Sequence, residues 1–129
     1  MLLEHMFKMN TGYFLVECAS EEDRGTVYQL CGQHSREDAN GVAQVCFIGV
    51  INPLSPEVET AEHVKNELLM AAKHIPVQRL GATDDCGFSP FSRDVKPKHG
   101  SPDFARDVAM QKISARLEGA KLASEELGV

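Results

Sequence analysis

Three short stretches carry side chains capable of chemistry, and each closes an apolar run. "GYFLVECAS" (12–20) brings Glu17 and Cys18, "VCFIGVINPL" (45–54) brings Asn52, and "ATDDCGFSPF" (82–91) brings Asp84, Asp85 and Cys86. A carboxylate and a thiolate are both zinc ligands, the thiolate being the softer. A metal held by three protein groups with one open position can bind a substrate thiol, lower its pKa and present it as a nucleophile at neutral pH. Asp84 and Asp85 suit a general acid–base pair; the commoner role for such residues is to orient a turn. For Glu17 the plain alternative is a helix cap or a solvated carboxylate. For Cys86 it is an ordinary acidic turn.

The elements between these residues decide whether they meet. "GYFLVECAS" reads as a strand. Ser20 then suits an N-cap, with acids in the first turn where the helix dipole favours them. Val27, Leu30, Cys31 and His34 share a helical face, although Gly25 weakens that helix. "VAQVCFIGVI" (42–51) is almost unbroken apolar sequence, as in a strand buried on both faces of a parallel sheet. "NPLSPE" ends it. Thr60 caps a second helix in which Val64, Leu68, Ala71 and Ile75 follow the helical period, with Pro76 just beyond. "RLGATDD" reads as a third strand. Residues 86–100, with Gly87, Pro90, Pro97 and Gly100, read as an exposed loop, within which 92–100 is either an ordered lid or disordered. Ser101 and Pro102 then open a long helix, with Met110, Ile113, Leu117, Ala120, Ser124 and Leu127 at spacings of three and four.

Strand and helix alternate three times, which implies an α/β fold with parallel strands. Three units fit either a small open sheet or part of an eight-stranded barrel. In both, ligands gather at the carboxyl ends of the strands. Adjacent parallel strands would bring Glu17, Asn52 and Cys86 to one rim.

Composition narrows the partners. The 129 residues suffice for one domain with a modest core. A net charge of −6 offers no basic face for nucleic acid. No apolar run approaches a membrane span, and the first ten residues lack the apolar stretch of a signal peptide, so the expected setting is cytoplasmic. The four cysteines form no CxxC pair, and a disulfide framework is not expected in a reducing compartment. Cys31 and Cys46 read as core, and Cys18 faces away from Glu17 along its strand. His34, His63 and His74 fall on helices, His5 and His99 on irregular segments, and none has ligand spacing. Glu21–Asp23 and Glu125–Glu126 read as solvated helix faces. "SPFSRD" and "KPKHG" read as solvated loop, with contact to an anionic substrate as the alternative.

Taken in order, "GYFLVECAS", "CFIGVINPLSPEVETAEHV" and "RLGATDDCGFSPF" resemble the last third of the cobalamin-independent methionine synthase family. The closing "ISARLEGAKLASEEL" resembles the terminal helix of its single-barrel relatives, some of which alkylate other thiols. The resemblance runs from about residue 10 to the end, on a combination of pieces none of which is specific alone. It implies a (β/α)8 barrel, here about three β/α units forming its C-terminal part, with a catalytic zinc at the carboxyl ends of the strands. The family's zinc takes a His and a Cys from an H-x-C motif, a strand-end Glu and the Cys of "DCG". Glu17 and Cys86 match the last two. Asp85 would orient the cysteine's turn and Asn52 would face the substrate. The implied reaction is methyl transfer from a methyltetrahydrofolate to the thiol of homocysteine.

Two departures temper it. The sequence contains no H-x-C, and Asn52 and Leu54 stand where methionine synthases carry an Asp and a His after "GV". The acceptor could then be another thiol. Three units are under half a barrel, and they would leave two open sheet edges and an uncovered apolar face. The expectation is a truncated centre, weak or inactive alone. The alternatives are a non-catalytic remnant, an assembly piece that self-associates through its edges, or a small metal-free α/β domain.

Overall fold

The computed structural model describes residues 2–91 and 100–129. Helix α1 (Leu2–Met6) leads into strand β1 (Tyr13–Val16) and helix α2 (Arg24–His34). Strand β2 (Val45–Ile51), helix α3 (Ala61–Ala72), strand β3 (Leu80–Asp84) and helix α4 (Pro102–Leu127) follow. The sheet order is β1-β2-β3 and both pairings are parallel, so the alternating α/β reading holds. None of the described helices is long and apolar enough to cross a membrane.

Local chemistry explains most boundaries. Thr60 caps α3 by accepting from the His63 amide, and Ser101 caps α4 with Pro102 at its first position, both as the sequence predicts. The start of α2 differs. Asp23, not Ser20, is its cap, accepting from the amide and hydroxyl of Thr26. Glu21 and Glu22 therefore lie outside the helix, and its first turn holds no acid. A bidentate carboxylate cap three residues further on outcompetes the serine.

The helices cover one face of the sheet. Phe14, Val16, Cys46, Ile48 and Val50 pack there with Tyr28, Val64, Leu68 and Ile75, and Cys31 and Cys46 are core as expected. The opposite face is open. Tyr13 and Leu15 point out from it, 62% and 61% exposed. Phe47 meets Tyr13 edge-on, and its ring lies where a Cβ on Gly81 would stand, 2.4 Å from it.

Helix α4 is rotated from its expected face. Met110 and Leu117 are exposed, whereas Ala105, Val108, Lys112, Ala115, Gly119 and Ala123 are buried. Small side chains let α4 approach α3 closely, and that close contact buries more surface than a bulkier stripe held further out. Gly119 marks the tightest point: a Cβ there would sit 2.4 Å from Val64 Cβ and 2.7 Å from the Ala61 carbonyl. Replacing Gly119 by alanine should therefore destabilise the fold by about 1–3 kcal/mol despite alanine's better helix propensity. Urea unfolding measures this, and an unchanged or raised midpoint would contradict the packing.

Candidate functional site

At the carboxyl ends of the strands, chain direction turns away from the sheet and side chains can reach across it. Glu17 follows the last residue of β1 and is exposed, while Cys18 beside it is buried on the helix side. After β3 come Asp85, buried, and Cys86, exposed. The strands that carry Glu17 and Cys86 are not neighbours, as the sequence reading assumed; β2 lies between them. Two strand spacings are roughly 10 Å. The residues meet because both chains have already left the sheet: Cys86 Sγ lies 3.1 Å from Glu17 Oε2 and donates to it. Cys86 adopts φ +49, the left-handed region that an L side chain occupies at a cost of about 1 kcal/mol.

Asp85 makes this possible. Its carboxylate accepts from the amides of Cys18 at 3.0 Å and Ala19 at 2.8 Å, and the Ser20 hydroxyl stands at 3.5 Å. Its own amide donates to the Ile51 carbonyl. One residue thus bonds to the ends of both other strands. To do so it passes over Gly49, where a Cβ would lie 1.7 Å from Asp85 Oδ1. β2 and β3 also slip register between Gly49 and Ile51, which turns the end of β2 at this crossing. Burial raises the Asp85 pKa above the usual carboxylate range, opposed by the two amide bonds and reinforced by Glu17.

The adjacent aspartates have different surroundings. Asp84 faces α4, with Arg116 Nη1 at 3.4 Å from its Oδ2. Burial raises its pKa too, and Arg116 opposes the rise. Each holds a different part of the rim. Asn52 is likewise engaged locally. Its Oδ1 accepts from the Leu54 amide, its amide donates to Glu59, and its carbonyl accepts from Lys112. The structure brings Glu17, Asp85 and Cys86 together, and the side-chain oxygen of Asn52 is taken up by its own turn.

Lys112 escaped the sequence reading. It is fully buried, and its Nζ donates to the carbonyls of Asn52 and Glu57 and to both oxygens of Glu59. The available signal was a lysine spaced four from Val108 and three from Ala115, in the buried stripe of α4. Residues 92–99, which hold His99 and most of "KPKHG", lie outside the described residues; Ser89–Phe91 of "SPFSRD" form a short 3-10 turn whose Phe91 is buried with Ala105 and Val108 and is not solvated as expected.

Glu17, Cys18, Ser20, Glu21 and Asp85 line a cavity of about 210 Å³. Its charge is negative, and nearby Cys86 responds: the hydrogen bond to Glu17 raises its pKa first, followed by slight desolvation and the charges of Glu17 and Asp85. A positive charge between sulfur and carboxylate would act in the opposite direction. The donors suit zinc in kind. They are fewer than the three protein ligands of a catalytic zinc site, and no group of three His, Cys, Asp or Glu is assembled among the described residues.

This geometry makes the thiols unequal. All four are free; three are buried, and Cys18 is pushed up to about 12. Native iodoacetamide labelling followed by mass spectrometry should modify Cys86 alone, more slowly than an unperturbed thiol. Glu17→Gln should speed that modification about threefold. Equal labelling of several cysteines would contradict the structure.

No family model matches the chain. Among curated proteins, 2-hydroxypropyl-CoM lyase of Xanthobacter autotrophicus is 33% identical over 81 residues, 63% of this chain and 18% of its own. Methionine synthase of Saccharolobus solfataricus is 29% identical over 79 residues, 61% of this chain and 20% of its own. Among solved structures, the B12-independent methionine synthase of Shewanella sp. W3-18-1, in complex with selenomethionine, superposes with a TM-score of 0.72 at 21% identity. That match covers 98% of this chain and 30% of that one, so this chain spans less than a third of each relative. The three parallel β/α units correspond to part of a (β/α)8 barrel. In sequence and in fold, the chain resembles a portion of the cobalamin-independent methionine synthases.

Proposed function

We propose that residues 1–129 form one domain, the C-terminal part of a zinc-dependent barrel that alkylates a thiol, and that Glu17 and Cys86 are two of its zinc ligands. The observation that carries this reading is the 3.1 Å contact between Cys86 Sγ and Glu17 Oε2, made across an intervening strand. Nothing in a solvated turn calls for that approach, and the carboxylate and thiol stand as close as two ligands of one ion require. Likeness to methionine synthases supports methyl transfer from a methyltetrahydrofolate to homocysteine as the reaction of the whole barrel. Zinc supplies Lewis acidity that makes a bound thiol nucleophilic at neutral pH.

The roles of this chain's own groups follow from their bonds. Cys86 and Glu17 present a soft and a hard donor to the same point. Asp85 orients the turn that carries Cys86 and ties it to the turn that carries Glu17. Asn52 lies at the same rim, where its fixed loop would border the substrate. With two ligands alone, metal binding is weak and turnover slow or absent. A cytoplasmic setting would keep Cys86 reduced.

A second reading has its own support. The 33% match to a lyase of 2-hydroxypropyl-CoM, with Asn52 and Leu54 at the two departing positions, favours a thiol other than homocysteine. Exposed Tyr13 and Leu15 on the edge strand β1 favour association with another barrel piece or a second copy, with or without catalysis.

Titration with Co²⁺ tests the metal reading, because cobalt bound to a thiolate absorbs in the near ultraviolet and bound to oxygen alone does not. The chain should develop that band. Cys86→Ser should abolish it, and Glu17→Gln should weaken the affinity about tenfold or more. No band in the unsubstituted chain, or one indifferent to both substitutions, would remove Glu17 and Cys86 as ligands.

A further inference from the structure

We infer that Arg24, Glu67 and Tyr28 are positioning residues for this centre, pinning the β1–α2 turn from the side opposite Asp85 and so setting where the Glu17 carboxylate stands. Its bearing on metal binding rests on the reading above; the turn geometry does not.

The peptide groups just after Glu17 are held from two directions. On one side, Asp85 takes the amides of Cys18 and Ala19. On the other, Arg24 Nη2 donates to the Ala19 carbonyl at 2.7 Å. Ala19 is thus fixed through both its N–H and its C=O, and Glu17 has little freedom two residues upstream.

Arg24 is an unexpected residue for its place. It is the first residue of α2, where the helix dipole disfavours a cation, and no acid of the first turn offsets it. The offset comes from another helix. Glu67 of α3, buried, faces Arg24 Nη1 at 3.1 Å and also accepts the Tyr28 hydroxyl at 2.6 Å. Tyr28 is fully buried, and its only polar atom is spent on this bond. His63 Nε2 lies 3.4 Å from Arg24 Nη1 on the solvent side. Tyr28 thus holds Glu67, Glu67 holds Arg24, and Arg24 bonds to one carbonyl of the turn. Packing of α2 against α3 would need none of these polar groups, since apolar side chains of similar volume serve that purpose as well.

Amide hydrogen exchange on the full chain separates positioning from general stability. Arg24→Gln should speed exchange of the Cys18 and Ala19 amides about tenfold, while the β2 amides of Phe47 and Ile48 change less than about twofold. Arg24→Lys should recover part of the loss. Tyr28→Phe, which removes one oxygen and keeps the packing, should give the same local pattern about threefold. In the cobalt titration the same variants should weaken the thiolate band in the same order. If Cys18 and Ala19 merely follow Phe47 and Ile48, or if no amide moves, the inference is overturned. If the unsubstituted chain gives no cobalt band, the metal reading falls, and the exchange pattern still decides whether these residues hold the turn.

Discussion

The carboxylate of Asp85 leaves the end of β3, passes over β2 and takes the first two amides beyond Glu17 after β1. Two strands that never touch are thereby tied at one end. Burying a carboxylate is costly, and backbone N–H groups of the β1–α2 turn replace part of the water its oxygens lose. The arrangement works only if the strand being crossed has no side chain at the crossing. Gly49 meets that condition, and the register slip just after it opens the end of β2. Cys86 follows Asp85 directly, so its left-handed backbone and its contact with Glu17 are downstream of this one interaction.

Charge is distributed around the rim in a consistent way. On the helix side, each strand-end loop is gripped by a cation: Arg24 with Glu67 behind the first, Lys112 with Glu59 behind the second, Arg116 with Asp84 behind the third. Glu17, Glu21 and Asp85 line the cavity, and the Cys86 thiol meets Glu17 beside it. Lys112 is fully buried and the two arginines are partly so, which leaves the rim itself electronegative. A divalent ion would relieve the repulsion there and would draw the proton from the thiol, reversing the direction in which the bare cavity pushes it.

The sheet has one finished face and one unfinished one. Phe14, Val16, Ile48 and Val50 are sealed by α2, α3 and α4, whereas Tyr13, Leu15 and the edges of β1 and β3 are uncovered among the described residues. The fold match, which covers nearly all of this chain and under a third of the relative, gives that asymmetry a natural reading as the inside of a barrel wall.

Much of this was legible in the chain itself. Apolar runs ending in polar residues located the strands, the caps at Thr60 and Ser101 located two helices, and alternation required parallel pairing. Those features depend on near neighbours, which a linear sequence records. The residue types at positions 17 and 86 likewise stated which chemistry was available. The linear record could not say that α4 would bury its alanines and glycine instead of Met110 and Leu117, because the choice depends on how closely α3 approaches. Nor could it show that Asp84 and Asp85, side by side in the chain, would serve different helices and strands. The partners of Lys112, Arg24 and Tyr28 lie 39 to 60 residues away, or around a turn, and only the folded chain selects them. Which donors exist was determined by the sequence; which donors meet was decided by a carboxylate crossing a glycine, and that needs three strands in place at once.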